Sequence, residues 1–308
     1  MLNTQGKLVS KEARIETTNY CNSKCVICPR EKMTREETVM PLNHFFSLVD
    51  QAKWLGAETI SLFGFGEPLA DACMGNRIAY CDAKGLDTFI TTNASMLDLN
   101  TANSILDAGL SHIRFSVHGL FKPDYNQVHR GLDYLTVMKN IFNFMIINDK
   151  QYDSKCTVSV TVIPTNTDHV GHLIKFWEPL VDYLEIWRPH NWAGGRSFRK
   201  IDRKKGTCGR PFSGPIQINA DGKMMVCCFD TDAEMTIGDT YKESVKGILE
   251  GYELHKIKNF HDLNLLQGLP CEHCDQLNEY DEYNHPLIYS NRDRDRNLGV
   301  TSTLKEKI

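Results

Sequence analysis

ARIETTNYCNSKCVICPR, residues 13–30, sets a strand directly before three clustered cysteines. Its first six residues alternate apolar and polar side chains, as a half-buried strand does. Cys21, Cys25 and Cys28 follow as C-x3-C-x2-C, in a polar stretch that reads as a loop. Three thiols this close can hold three corners of a cubane iron–sulfur cluster and leave one iron open for chemistry. The same spacing also admits a structural zinc, or a cluster whose fourth ligand comes from elsewhere.

Working outward, five more strand candidates follow: TISLFG (59–64), DTFITTN (87–93), HIRFSVH (112–118), CTVSVTVIP (156–164) and YLEIWRP (183–189). Between them LNHFFSLVDQAKWLG (42–56), LDLNTANSILDAG (97–109) and LDYLTVMKNIFNFMIIN (132–148) repeat apolar residues every three or four positions, which favours helix. This alternation predicts parallel βα units in one large α/β domain. The pattern changes near residue 190, where NWAGGRSFRKIDRKKG (191–206) is polar and basic, as a linker or crossover would be. PIQINADGKMMVCCF (215–229) reads as a hairpin turning at Asp221-Gly222, with Cys227 on the returning strand. A helical stretch near ESVKGILEGYELHKIKNF (243–260) and then CEHC (271–274) complete a smaller unit. Residues 281–308 read as a polar tail that either covers the site or is partly disordered.

The 308 residues, 41% hydrophobic and 24% charged, suit a globular protein of one large domain or two moderate ones. A net charge of −4 gives no overall pull toward a polyanion, so no nucleic-acid partner is expected. The start, MLNTQGKLVSKEARIE, lacks the apolar core of a signal peptide, and no run reaches membrane-spanning length. A cytoplasmic protein without a membrane partner is expected. Eleven cysteines, an odd number, fit a disulfide framework poorly and in a reducing compartment point to metal or catalysis.

With three segments that follow it in order, the triad resembles the radical S-adenosylmethionine (radical SAM) superfamily. GFGEP (Gly64, Phe65, Gly66, Glu67, Pro68) resembles the family's GGEP motif, whose backbone and glutamate hold the methionine ammonium. Only glycine lets backbone approach a ligand that closely, and here Phe65 replaces the second glycine of the usual pair. In TTNAS (91–95) Asn93 matches a position often near the ligand. In FSVHG (115–119) Ser116 matches a residue that commonly bonds the ribose or carboxylate. Arg130, in NQVHRG, matches an arginine that often pairs with the methionine carboxylate. Ile27 stands where the family usually packs an aromatic residue on the adenine. Taken singly, Asn93, Ser116 and Arg130 also read as strand-end capping or a solvated charge.

The resemblance implies a partial (β/α)6 barrel over about residues 10–195, binding a 4Fe–4S cluster through Cys21, Cys25 and Cys28. It also implies that S-adenosylmethionine chelates the open iron and is cleaved reductively to a deoxyadenosyl radical that abstracts hydrogen. A flavodoxin- or ferredoxin-type electron donor is the implied partner.

Cys208, Cys227, Cys271 and Cys274 form a second set, C-x13-G-x4-C followed by C-x2-C. This resembles the auxiliary-cluster domains called SPASM and, because no cysteine follows Cys274, the shorter twitch form. The resemblance implies a small α+β twitch domain over about residues 196–280, with a second 4Fe–4S cluster held by four thiolates. An all-cysteine zinc site would use the same residues. Of the remaining cysteines, Cys73, Cys81 and Cys156 read as small buried hydrophobes. Strand alternation points Cys228 away from Cys227. A thiol hydrogen-atom donor among these four stays open. His169 and His172 read as an exposed helix face rather than a metal pair. His190, near Trp187, Arg188 and Asn191, reads as pocket lining or barrel-end packing.

A fully ligated second cluster suits electron transfer, so the expected reaction is a two-electron oxidation of a small polar, sugar-like molecule. Peptide maturation and radical epimerisation are the rival outcomes. A zinc- or cluster-binding interaction module without turnover is the alternative from another class.

Overall fold

The computed structural model describes residues 1–165, 167–199, 201–202, 205–278 and 287–291. Strands β1 (Glu12–Ile15), β2 (Thr59–Ser61), β3 (Asp87–Thr92), β4 (His112–Ser116), β5 (Thr157–Val162) and β6 (Tyr183–Trp187) alternate with six helices. These are α1 (Leu42–Trp54), α2 (Met74–Ala83), α3 (Leu99–Asp107), α4 (Lys122–Val128), α5 (Tyr134–Tyr152) and α6 (Val170–Trp177). The strands pair in sequence order and in parallel, from Glu12 opposite Thr59 to Val162 opposite Ile186. Each stops short of its expected end, because the chain leaves the ladder there to build the loops that carry the site residues.

The two faces of the sheet differ as period-2 alternation requires. Ala13, Ile15, Ile60, Ile90, Ile113, Phe115, Val160 and Ile186 are buried in one core with Phe45, Ile78, Ile105, Phe144 and Trp177 from the helices. On α6 the buried residues Val170, Leu173, Ile174 and Trp177 repeat at three- and four-residue spacing and form the packed stripe. The other face lines the lumen with ion pairs and hydrogen bonds. Arg14 Nε lies 2.8 Å from Glu12, Ser61 donates to Glu12 at 2.6 Å, and Arg114 lies 3.0 Å from Glu185.

Beyond β6 come α7 (Arg210–Ser213), β7 (Ile216–Ile218), β8 (Lys223–Met225), β9 (Thr236–Asp239), α8 (Val245–Leu249), α9 (Tyr252–Asp262) and β10 (Leu287–Ser290). β7 pairs in parallel with β1 on its free edge, and β8 and β9 continue antiparallel from it. Among the described residues one open sheet of ten strands results, in the order β10-β6-β5-β4-β3-β2-β1-β7-β8-β9, so the barrel is partial. The second cysteine unit grows from the sheet of the first.

Two expectations need correcting. The polar-tail reading fails at Leu287–Ser290, which pairs antiparallel with β6 as β10. The apolar run Leu287-Ile288-Tyr289 covers the open edge that β6 would otherwise present. Residues 281–286 and 292–308 of that tail lie outside the described residues. Cys227 does not lie on the returning strand either: β8 ends at Met225, and Cys227 and Cys228 sit in the turn beyond it. Among the described residues no helix is long and apolar enough to cross a membrane.

Candidate metal centres and cofactor site

Cys21, Cys25 and Cys28 occupy the loop after β1. Its curl is set by the Cys28 amide donating to the Cys25 carbonyl at 3.1 Å. Two backbone bonds from Lys24 and Val26, to the carbonyls of Arg130 and Val128 at 3.0 Å each, seat it on the segment after α4. Burial pushes the thiols of Cys21 and Cys25 up to about 11 and 12, and neighbouring thiols add to the rise in both. Buried thiols without a partner for their charge favour the neutral form, so a metal must displace the protons to bind.

GFGEP crosses directly behind this loop. A Cβ on Gly66 would stand 2.1 Å from the Thr18 carbonyl oxygen, and one on Gly64 would stand 2.4 Å from Glu16 Oε1. Both glycines are therefore required by close approach to β1 and its exit. The Glu67 carboxylate is buried and accepts from Thr92 Oγ1 at 2.5 Å, Asn93 N at 2.8 Å and Leu69 N at 3.1 Å. Three of its roughly four acceptor positions are thus used within the protein. Burial raises its pKa, and these donors oppose the rise. Asn93 in turn donates to Asn22 Oδ1 at 3.1 Å, which ties the end of β3 to the cysteine loop.

Of the other expected residues, Ile27 is buried, and Ser116 closes β4 half-buried. The side chain of Arg130 is exposed, while its carbonyl accepts from Lys24 N and Ser23 Oγ and so serves the loop. His169 pairs with Asp124 at 2.7 Å at the start of α6. Sequence reasoning missed Glu16. Its buried carboxylate meets Arg35 at 3.0 Å and accepts from Phe65 N at 2.8 Å and Ala220 N at 3.0 Å. One side chain thereby joins the cysteine loop's continuation, GFGEP and the hairpin turn of the second unit.

Cys208, Cys227, Cys271 and Cys274 line a single cavity of about 90 Å³, together with Val226, Met235 and Ala193. Among the described residues no three Cys, His, Asp or Glu side chains converge on a point that suits one metal ion. Four thiols around one cavity are a donor set that an iron–sulfur cluster can use. Burial pushes Cys271 and Cys274 up to about 12. Cys228 does not face away as alternation predicted, because the turn brings it against Cys227. Its sulfur is held well below the usual thiol range, first by the hydrogen bond from Cys227 and then by Arg210 and Arg14. Those guanidiniums stand 3.4 and 3.5 Å from it.

Residues 190–196 strap the two cysteine sets together. Trp192 Nε1 donates to the Ile27 carbonyl at 2.7 Å, and the Arg196 guanidinium donates to that of Cys28. The next residue after Trp192, Ala193, lines the four-thiol cavity. Asn191 Nδ2 donates to the His273 carbonyl at 2.6 Å, within CEHC. His190 stacks on Phe229 with ring centres 4.1 Å apart, and Phe65 lies 5.8 Å from Trp192. The phenyl ring that replaces a motif glycine thus packs on the strap. Burial lowers the His190 pKa to about 3, so the ring is neutral packing.

A sequence profile for the radical SAM superfamily matches residues 15–176, and one for the SPASM iron–sulfur cluster-binding domain matches residues 208–275. The GTP 3',8-cyclase of Clostridium botulinum is 27% identical over 193 residues, which is 60% of this chain and 59% of that enzyme. This chain thus matches less than two thirds of that relative's length. Among solved structures, BtrN in complex with AdoMet and 2-DOIA matches with a TM-score of 0.60 at 16% identity, over 91% of this chain and all of its own. Streptococcus suis SuiB bound to precursor peptide SuiA matches with a TM-score of 0.68 at 15% identity, over 88% of this chain and 70% of its own. At such identities these two likenesses speak to fold. The chain belongs to the radical SAM superfamily and carries a SPASM-type iron–sulfur domain, so its cofactors are S-adenosylmethionine, a 4Fe–4S cluster that binds it, and an auxiliary cluster.

Proposed function

We propose that this enzyme oxidises a small polar substrate by two electrons, in two units spanning about residues 10–195 and 196–280. Cys21, Cys25 and Cys28 would hold the cluster that binds S-adenosylmethionine. Cys208, Cys227, Cys271 and Cys274 would hold a 4Fe–4S cluster that accepts an electron. Once bound, these groups supply a one-electron cleavage of S-adenosylmethionine and hydrogen abstraction from the substrate. The observation that carries the reading is the strap, in which Trp192 touches one cysteine loop and Ala193 lines the cavity of the other set.

The protein's own residues prepare three things. Gly64 and Gly66 let the GFGEP backbone close on the exit of β1, where carbonyls can receive the methionine ammonium, and Glu67 fixes that backbone to β3. Cys208, Cys227, Cys271 and Cys274 would fill all four iron positions of such a cluster, which would then supply electron transfer rather than a binding position for substrate. Arg210 and Arg14, set against Cys228 beside the ligand Cys227, place positive charge where an added electron would arrive. The sheet face that carries the ion pairs Arg14–Glu12 and Arg114–Glu185 is polar, which favours a polar substrate over an apolar one.

A second reading, modification of a peptide, is favoured by one feature. An open groove of about 390 Å³ runs past both cysteine loops between Pro29, Lys32, Gly195, Phe229, Asp232 and His273. An extended chain could lie there. Anaerobic turnover with candidate substrates separates the readings. One S-adenosylmethionine consumed per carbonyl formed on a small polar molecule supports oxidation. Product formed only on a peptide overturns it in favour of maturation. Solvent deuterium at an inverted carbon, without net oxidation, marks an epimerase.

A further inference from the structure

A buried column of rings runs from the ends of β4 and β5 down to the first cysteine loop. His118 stacks on His129 with centroids 4.7 Å apart, and His129 stacks on Tyr125 at 4.3 Å. Both histidines are buried, at 7% and 2% exposure. The Ile163 amide donates to His118 Nδ1 at 3.1 Å, and the His118 amide donates to His129 Nε2 at 3.2 Å. A backbone N–H can only donate, so His129 Nε2 must carry its lone pair and the ring's single proton must sit on Nδ1. That Nδ1 lies 3.4 Å from Cys25 Sγ. Ser23 Oγ also lies 3.0 Å from this sulfur, but its one proton has the Arg130 carbonyl, 3.2 Å away, as a second acceptor. The His129 proton is aimed at the sulfur by an amide that holds the opposite side of the ring.

We propose that His129 is a positioning residue that donates its Nδ1–H to the Cys25 sulfur and raises the reduction potential of the cluster that binds S-adenosylmethionine. A hydrogen bond to a ligand sulfur stabilises negative charge there, and the reduced cluster carries one more unit of it. The bond therefore favours the reduced state, from which S-adenosylmethionine is cleaved. His118 acts one step further out, by fixing the tautomer.

The inference rests on Cys25 being a ligand, and the test separates the two claims. Three fully loaded proteins are compared: the wild type, His129→Asn and His129→Gln. An Asn amide nitrogen stands where Nδ1 stood and can still donate to Cys25, whereas a Gln amide reaches the Nε2 position and can only satisfy the His118 amide. Reductive titration follows the electron paramagnetic resonance signal that changes when S-adenosylmethionine is added. The Gln variant should show a reduced-to-oxidised ratio about tenfold lower at a fixed potential, a shift of about 59 mV for a one-electron couple. The Asn variant should titrate close to the wild type. Equal potentials in the Gln variant and wild type, or equal shifts in Gln and Asn, overturn the inference, because packing alone would then account for the column. Separately, Cys25→Ala protein that keeps its full iron content would overturn the ligand assignment itself.

Discussion

Glu16 sits in no motif, yet its carboxylate holds Arg35, the Phe65 amide and the Ala220 amide at once. Removing one partner of a buried pair strands the other charge, at a cost of about 3–5 kcal/mol. Glu16→Ala should destabilise the protein by about that amount in denaturant unfolding, and a change under 1 kcal/mol would contradict the role given to it. At this scale, what was legible in the sequence is what is local. Cys21, Cys25 and Cys28 lie within eight positions of each other, and Gly64, Gly66 and Glu67 within four, so their spacing speaks directly. Glu16, His129 and Trp192 were not legible. Their decisive partners lie 204, 104 and 165 positions away, and only the fold brings those together.

Among elements, the exit from GFGEP is clamped by an ion pair. Asp71 Oδ2 meets Arg77 Nε at 2.6 Å with both side chains 1% exposed, and Asp71 Oδ1 accepts from the Cys73 amide at 2.9 Å. Arg77 also donates to the Met40 carbonyl and lies over the Phe45 ring, which ties α2 to α1. Asp71→Ala should cost about 3–5 kcal/mol in the same unfolding assay, since the guanidinium would stay buried without its charge partner. A milder effect is expected at α3, where Asp98 caps the helix by accepting from the Thr101 amide at 2.8 Å. That bond holds the Asp98 carboxyl below its ordinary range. A carboxylate depressed by folding contributes stability above its unfolded pKa and loses it as pH falls through the folded value. Asp98→Ala should therefore cost about 1 kcal/mol at neutral pH, and the difference from wild type should shrink as the pH falls below about 4. A difference that stays constant into acid would contradict the capping account. Strand and helix positions were legible because apolar period-2 and period-3.6 patterns are written locally. The end of β8 was not, because Met225-Val226-Cys227-Cys228 stays apolar through the turn. β10 was hidden too, since its run is short and charged residues surround it.

For the whole molecule, the two cysteine sets are joined through the sheet, where β7 continues from β1, through the strap at residues 190–196, and through Glu16, which accepts from the Ala220 amide. The general architecture was legible from the order of motifs along the chain. The joining was not, because the 191–206 stretch looks like a linker in composition, whereas Asn191, Trp192 and Arg196 within it brace the two cysteine sets in space. On the proposed function this chain carries two iron–sulfur clusters on two separate cysteine sets, only the first of which engages S-adenosylmethionine. Iron and sulfide counts on anaerobically reconstituted protein, paired with deoxyadenosine formation under reduction, test it most directly. Wild type should hold about eight irons per chain, and loss of either set should leave about four. Substituting Cys21, Cys25 and Cys28 by Ala should abolish deoxyadenosine, whereas substituting Cys208, Cys227, Cys271 and Cys274 should leave its formation measurable. Zinc in place of iron at either set, or deoxyadenosine that survives loss of the first, would contradict the account.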